Sequence, residues 1–122
     1  MPFKFEKLIV WQKSVDLSDA VHHLTKQFPK DELYVLTAQI KRAADSVSLN
    51  IAEGSTGQSN NEFARFLGIA LRSNIEVVSC MHLAKRRGYV NEVSFNDIYR
   101  KCEEILVMIN SLKASLFKNI PT

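Results

Sequence analysis

The chain has 122 residues, 46% of them hydrophobic and 24% charged, with a formal net charge of +3 at pH 7. That length supports one domain with a packed core, the composition is that of an ordinary globular protein, and no apolar run reaches membrane-spanning length. The mild basic excess permits acidic partners without demanding them. Cys80 and Cys102 sit inside helical patterns with no CxxC spacing, which reads as free buried thiols in a reducing cytoplasm. The N-terminal Met-Pro-Phe-Lys-Phe-Glu-Lys does not read as a signal peptide, so the expected location is cytoplasmic. The three prolines interrupt no long periodic stretch, and residues 1–122 read as a single domain.

The first helix is expected over roughly Leu8 to Phe28, with Val10, Leu17, Val21, Leu24 and Phe28 as its main apolar stripe. Leu8, Trp11 and Val15 lie on a second flank. They are either an interface with another subunit or the edge of a wide core face. Pro29 stops or redirects the chain, since it cannot continue the hydrogen-bond ladder. Asp31 and Glu32 suit the first turn of a second helix, expected over roughly Asp31 to Glu53. Its apolar stripe is Leu36, Ile40, Val47 and Ile51, and Gly54 fits a left-handed residue just past the helix end. Ser55 to Ser59 is a polar connection, and Ser59 with Glu62 has capping-box spacing. A third helix is expected from Asn60 to Arg87, ended by Gly88. A fourth is expected from Phe95 to Phe117, started by Ser94 with Asp97, on the stripe Ile98, Cys102, Ile105, Ile109, Leu112 and Leu116. Four long amphipathic helices with short connections predict an all-α, antiparallel up-down-up-down four-helix bundle.

Beside the stripe of the second helix runs a polar line: Gln39, Arg42, Ser46, Asn50 and Glu53. Serine and asparagine are poor helix-interior residues, so their alignment suggests a polar seam shared with a neighbouring helix. Folding the second and third helices about the Gly54–Ser59 turn brings Glu53 level with Arg65, Ser46 with Ser73, and Arg42 with Glu76. A paired polar line of this kind stabilises weakly but selects one register or partner. The functional alternative is a small-molecule or catalytic pocket along the same seam.

Trp11, Phe28-Pro29-x-x-Glu32, Gln39-x-x-Arg42-Ala43-Ala44-x-Ser46, Asn50-Ile51-Ala52-Glu53-Gly54, Phe63, Leu67, Ala70 and Ser73-x-x-Glu76 together resemble the bacterial four-helix-bundle family first noted as 23S rRNA intervening-sequence proteins. The likeness spans nearly the whole chain, with Val47-Ser48-Leu49 as a small departure. It implies a four-helix protomer that assembles into a ring, typically a homopentamer. It also implies kinship with the accessory variability determinant of diversity-generating retroelements, a basic barrel that binds nucleic acid and a reverse transcriptase. Most members of the family have no assigned biochemical role.

The remaining constellations are sparse. A di-metal carboxylate bundle needs Glu-x-x-His on two helices, and Asp19-x-x-His22 is the one near match, so no metal or other cofactor is expected. No spacing suggests a nucleophile, although such groups converge from distant positions. Gly54 and Gly57 bracket a turn that lacks the lysine of a phosphate loop. Lys85-Arg86-Arg87 is the densest basic cluster, and Arg100 and Lys101 extend it. Cations at a helix C-terminus are favoured by the helix dipole alone. Any nucleic-acid contact here would be phosphate-directed and indifferent to sequence. The expectation is a non-enzymatic, oligomeric, cytoplasmic bundle that scaffolds RNA, DNA or a protein partner. The alternative is small-molecule binding or enzymatic activity at the seam between the second and third helices.

Overall fold

Residues 2–57 and 59–118 are described by the computed structural model; Gln58 of the polar connection lies outside them. Four α-helices carry the fold: α1 (Ile9–Leu24), α2 (Leu36–Ser55), α3 (Asn60–Arg86) and α4 (Glu92–Ser115). Short 3-10 turns at Lys4–Lys7, Thr25–Gln27 and Lys30–Glu32 fill the approaches, and no strand occurs among the described residues. Consecutive helices pack on one another, and α1 closes against α4, which makes the expected four-helix bundle. No helix among the described residues is long and apolar enough to cross a membrane. At about 1.5 Å per residue, α3 spans about 40 Å and sets the length of the molecule.

The periodic stripes meet along the axis. Leu17 and Val21 of α1, Ile40, Val47 and Ile51 of α2, Leu67, Val77 and Met81 of α3, and Ile98, Ile105 and Ile109 of α4 are all essentially inaccessible to solvent. Cys80 and Cys102 are buried free thiols. The helix ends differ from expectation at several places. α1 stops at Leu24, because Thr25 tightens into a 3-10 turn and its hydroxyl donates to the His22 carbonyl at 3.1 Å. Phe28 then adopts an extended conformation (φ −69°, ψ 149°), as the residue before a proline must. Asp31 and Glu32 open the Lys30–Glu32 turn rather than α2. The helix waits for Leu36 because Val35, at φ −118° and ψ −98°, breaks the helical path.

Gly54 is not a left-handed cap. It lies inside α2, which runs one residue further and is capped by Thr56 in the right-handed region. A Cβ at Gly54 would sit 2.6 Å from the Phe66 Cβ, so glycine is there to admit α3. Ser59 does cap α3, its hydroxyl accepting from the Glu62 N–H at 3.1 Å. Gly88, at φ +76°, ends α3 in a Schellman motif. There the Tyr89 N–H donates to the Ala84 carbonyl at 2.9 Å and the Gly88 N–H to that of Lys85 at 3.0 Å. α4 starts three residues before Phe95, since the Asn91 side chain accepts from the Ser94 N–H at 2.8 Å and takes the capping role expected of Ser94.

Candidate functional site

The polar line of α2 faces α3 with only part of its expected pairing. Ser73 Oγ donates to Ser46 Oγ at 2.9 Å, and Asn50 Nδ2 donates to the Ser46 hydroxyl at 2.9 Å and carbonyl at 2.8 Å. The charged members do not pair as drawn. Glu76 accepts from the Gln39 amide, while Arg42 reaches only the Gln39 carbonyl oxygen at 3.3 Å. The Arg65 guanidinium lies 4.6 Å from the ring centre of Phe66 on its own helix, and Glu53 joins no ion pair among the described residues. Arg42, Glu53 and Arg65 are exposed and Glu76 is half-buried. Ser46 meets Ser73 as expected, Gln39 stands between Arg42 and Glu76, and long side chains at the edge choose solvent over a desolvated pair. The seam is therefore a serine–asparagine contact with a solvated charged rim.

The basic cluster is partly neutralised. Lys85 pairs with Glu92 at 2.9 Å and lies 4.6 Å from the ring centre of Phe95. Arg87 pairs with Glu32 at 3.4 Å and Lys101 with Asp97 at 3.3 Å. Arg86 and Arg100 are exposed and join no ion pair among the described residues. The expected patch thus has two uncommitted guanidiniums and three cations already facing carboxylates.

Trp11 does not stand out as an exposed apolar group on α1. It is half-buried, with the Phe5 ring edge-on at 4.8 Å, and Leu8 packs against the core while Val15 is half-buried. The Lys4–Lys7 turn covers this flank, which sequence periodicity had left without a partner. Ile9 (60% exposed) is an exposed apolar group on α1, and others include Ile75 (54%) on α3, and Tyr99 (40%) and Val107 (63%) on α4. Between α3 and α4 is an apolar cleft of about 200 Å³, walled by Ile75, Val78, Tyr99 and Leu106. Asn74 lies in its floor, almost wholly buried. Its Nδ2 donates to the Cys102 carbonyl at 2.8 Å, and its Oδ1 has no partner. Burial pushes the Cys102 thiol up to about 12, and burial with the nearby Glu76 carboxylate raises that of Cys80. Both are unreactive thiols at neutral pH.

Two polar clusters escaped the sequence reading. Asp45 of α2 accepts from the Ser18 hydroxyl and lies 3.0 Å from His22 Nε2, both on α1. The carboxylate sits between the other two groups, so no histidine is placed to activate the serine, and the arrangement lacks the nucleophile–base–acid order. Glu32, from the α1–α2 connection, accepts from the Tyr89 hydroxyl at 2.7 Å and from Arg87. That bond, followed by burial, raises the Tyr89 phenol above its ordinary value. Each carboxylate lies 23 to 57 residues from the groups that bond to it, beyond any local spacing signal. Among the described residues no group of three or more metal-ligating side chains forms.

Comparison with known proteins agrees with the four-helix fold. The family model described as "23S rRNA-intervening sequence protein" matches residues 6–111. A crystal structure of a protein of unknown function from the S23 ribosomal protein family of Bacteroides thetaiotaomicron VPI-5482 superposes with a TM-score of 0.81. The two are 26% identical over 86% of this chain and 98% of that one. No curated protein matches.

Proposed function

The chain belongs to the 23S rRNA-intervening sequence protein family, and on that premise we propose that it is a non-enzymatic cytoplasmic protein that assembles with copies of itself and holds nucleic acid weakly on the assembly. The observation that carries this reading is the apolar surface around the α3–α4 cleft. Ile75 and Tyr99 are exposed on its walls, and burying such groups against a second copy removes apolar area from water at ~25 cal/mol per Å². The ring of five subunits comes from the family resemblance. Arg86 and Arg100 offer phosphate contacts, with Lys85, Arg87 and Lys101 able to exchange their carboxylate partners for phosphate. One protomer offers few contacts, and a ring repeats them along one polyanion, so avidity supplies what a single patch lacks. The charged rim of the seam favours no enzymatic reading, because Arg42, Glu53 and Arg65 stand in solvent.

The test is light scattering at micromolar concentration. A closed pentamer is expected for the parent and smaller species for Ile75→Glu combined with Tyr99→Glu; a monomeric parent overturns the reading. In a salt titration, each phosphate contact contributes roughly 0.7–0.9 to the slope of log affinity against log salt. Arg86→Glu with Arg100→Glu should flatten that slope while leaving the assembly unchanged.

A further inference from the structure

The connection between α1 and α2 ends in an apolar tip. Leu33, Tyr34 and Val35 follow one another at 47%, 87% and 63% exposure, and no other three consecutive large apolar side chains are exposed among the described residues. Single exposed apolar residues are ordinary on a protein surface, but a run of three is a contact without its partner. The tip is tied down on both sides. The Val35 N–H donates to the Glu32 carbonyl at 3.0 Å, and the Glu32 carboxylate accepts from the Tyr89 hydroxyl at 2.7 Å and from the Leu36 N–H at 3.4 Å. Its side chains therefore stand out from a fastened turn.

The same protomer carries a recess of matching character. The α3–α4 cleft, walled by Ile75, Val78, Tyr99 and Leu106, has room for one aromatic side chain. Tyr34 does not fill the cleft of its own protomer, since it stands almost wholly in solvent. Charge matches as well. Lys30 lines one surface hollow together with Leu33, and Glu103 lines the cleft beside Tyr99 and Leu106. Neither joins an ion pair among the described residues. Asp31 does not line the hollow at the tip, and Arg72, Arg100 and Lys101 do not line the cleft, so each surface meets the other with the opposite sign.

We propose that the tip of one protomer inserts into the α3–α4 cleft of the next copy of this chain. Tyr34 packs against Ile75 and Tyr99, Leu33 and Val35 cover the rim, and Lys30 faces Glu103. The inference rests on the self-assembly proposed above and names the second surface that it requires. A patch that matches itself joins two copies and stops. A ring of five needs two different surfaces on every protomer, one inserted and one receiving. The cleft is the receiving surface, and the tip is the inserted one.

The test separates the two roles by mixing. Tyr34→Glu with Val35→Glu removes the tip and keeps the cleft; Ile75→Glu with Tyr99→Glu removes the cleft and keeps the tip. Each variant alone should scatter light as a monomer at micromolar concentration. Circular dichroism and the unfolding midpoint should stay close to the parent's, because all four side chains are exposed. Tyr99 also stacks on Phe95, so Ile75→Glu alone replaces the cleft variant if the pair unfolds it. An equal mixture, at about tenfold higher concentration to offset the lost avidity of the ring, should form dimers and nothing larger. One intact tip then meets one intact cleft, and the remaining tip and cleft are both blocked. Lys30→Glu and Glu103→Lys should each raise the concentration for half-assembly at least tenfold, and the two together should restore most of the loss. A monomeric parent overturns self-assembly and this contact with it. A parent ring that persists in the tip variant overturns this contact alone. So does a mixture that stays monomeric, or a double charge reversal no better than its worse single variant.

Discussion

Helix α3 makes two long contacts, and they are built differently. Against α2 it sets Phe63 and Phe66 onto Gly54 and joins Ser73 to Ser46. Gly54 lets the two rings close on the helix, and the space left there is less than one methyl group. Against α4 it leaves Val78 half-buried and Ile75 exposed, over an open cleft of about 200 Å³. Apolar periodicity is equally clear on both sides. What separates them is the fit at the contact: a glycine opposite two rings lets one groove seal, while the other stays open and leaves apolar surface for something else to cover.

Replacing glycine in the sealed contact should have the largest effect. Gly54→Val puts a branched side chain where even a Cβ falls 2.6 Å from the Phe66 Cβ. A loss of roughly 3 kcal/mol is expected, the upper range for overpacking a tight site. Chemical denaturation measures it, and a loss below about 1 kcal/mol would mean that the α2–α3 contact has room after all.

The open contact should respond to pH instead. The Cys102 thiol is held at about 12 in the folded chain, against 9.0 for a free thiol. Its folded value is raised, so its contribution is complete below pH 9 and declines as pH climbs from 9 towards 12. The unfolded chain gives up its proton first, and stability should fall by ~1.4 kcal/mol per pH unit within that window. Cys102→Ala should flatten this limb of the stability profile and leave only the share of Cys80, whose thiol is raised as well. A profile identical in the two proteins would place the alkaline sensitivity elsewhere.

The charged rim of the sealed contact should matter least. Glu76→Ala removes the acceptor of the Gln39 amide but strands no buried charge, because Arg42 stands in solvent. A loss under about 1 kcal/mol is expected from equilibrium unfolding. A loss of several kcal/mol would turn the rim into a desolvated pair and reverse the ranking of seam and core.

The same contrast explains what was legible in the sequence. Four helices, their order and their core stripes follow from periodicity, which depends only on residues three and four apart. Ser46 opposite Ser73 follows from counting outward from the turn. Counting gives level but not side, so it placed Arg42 beside Glu76 when Gln39 fills that position. Gly54 reads as a stop because glycine after a periodic run usually is one. Its real constraint is the backbone of another helix, which no local pattern carries. Trp11 reads equally as an interface residue or the edge of a wide core face, because its cover, Phe5, belongs to a turn too short to show a period.

The link between Glu32 and Tyr89 has a mechanical side. It joins the α1–α2 connection to the α3–α4 connection at one end of the bundle. At the other end, Asn60 Nδ2 donates to the Leu116 carbonyl at 2.7 Å, from the start of α3 to the end of α4. A slip of α3 along its neighbours by one helical turn, about 5.4 Å, would break both fastenings at once. Apolar stripes alone would tolerate such a slip, because they repeat; the two polar fastenings do not repeat. They act as keys at opposite ends of a shaft, and a load applied to either connection is carried by the whole bundle rather than by the helix it pulls on.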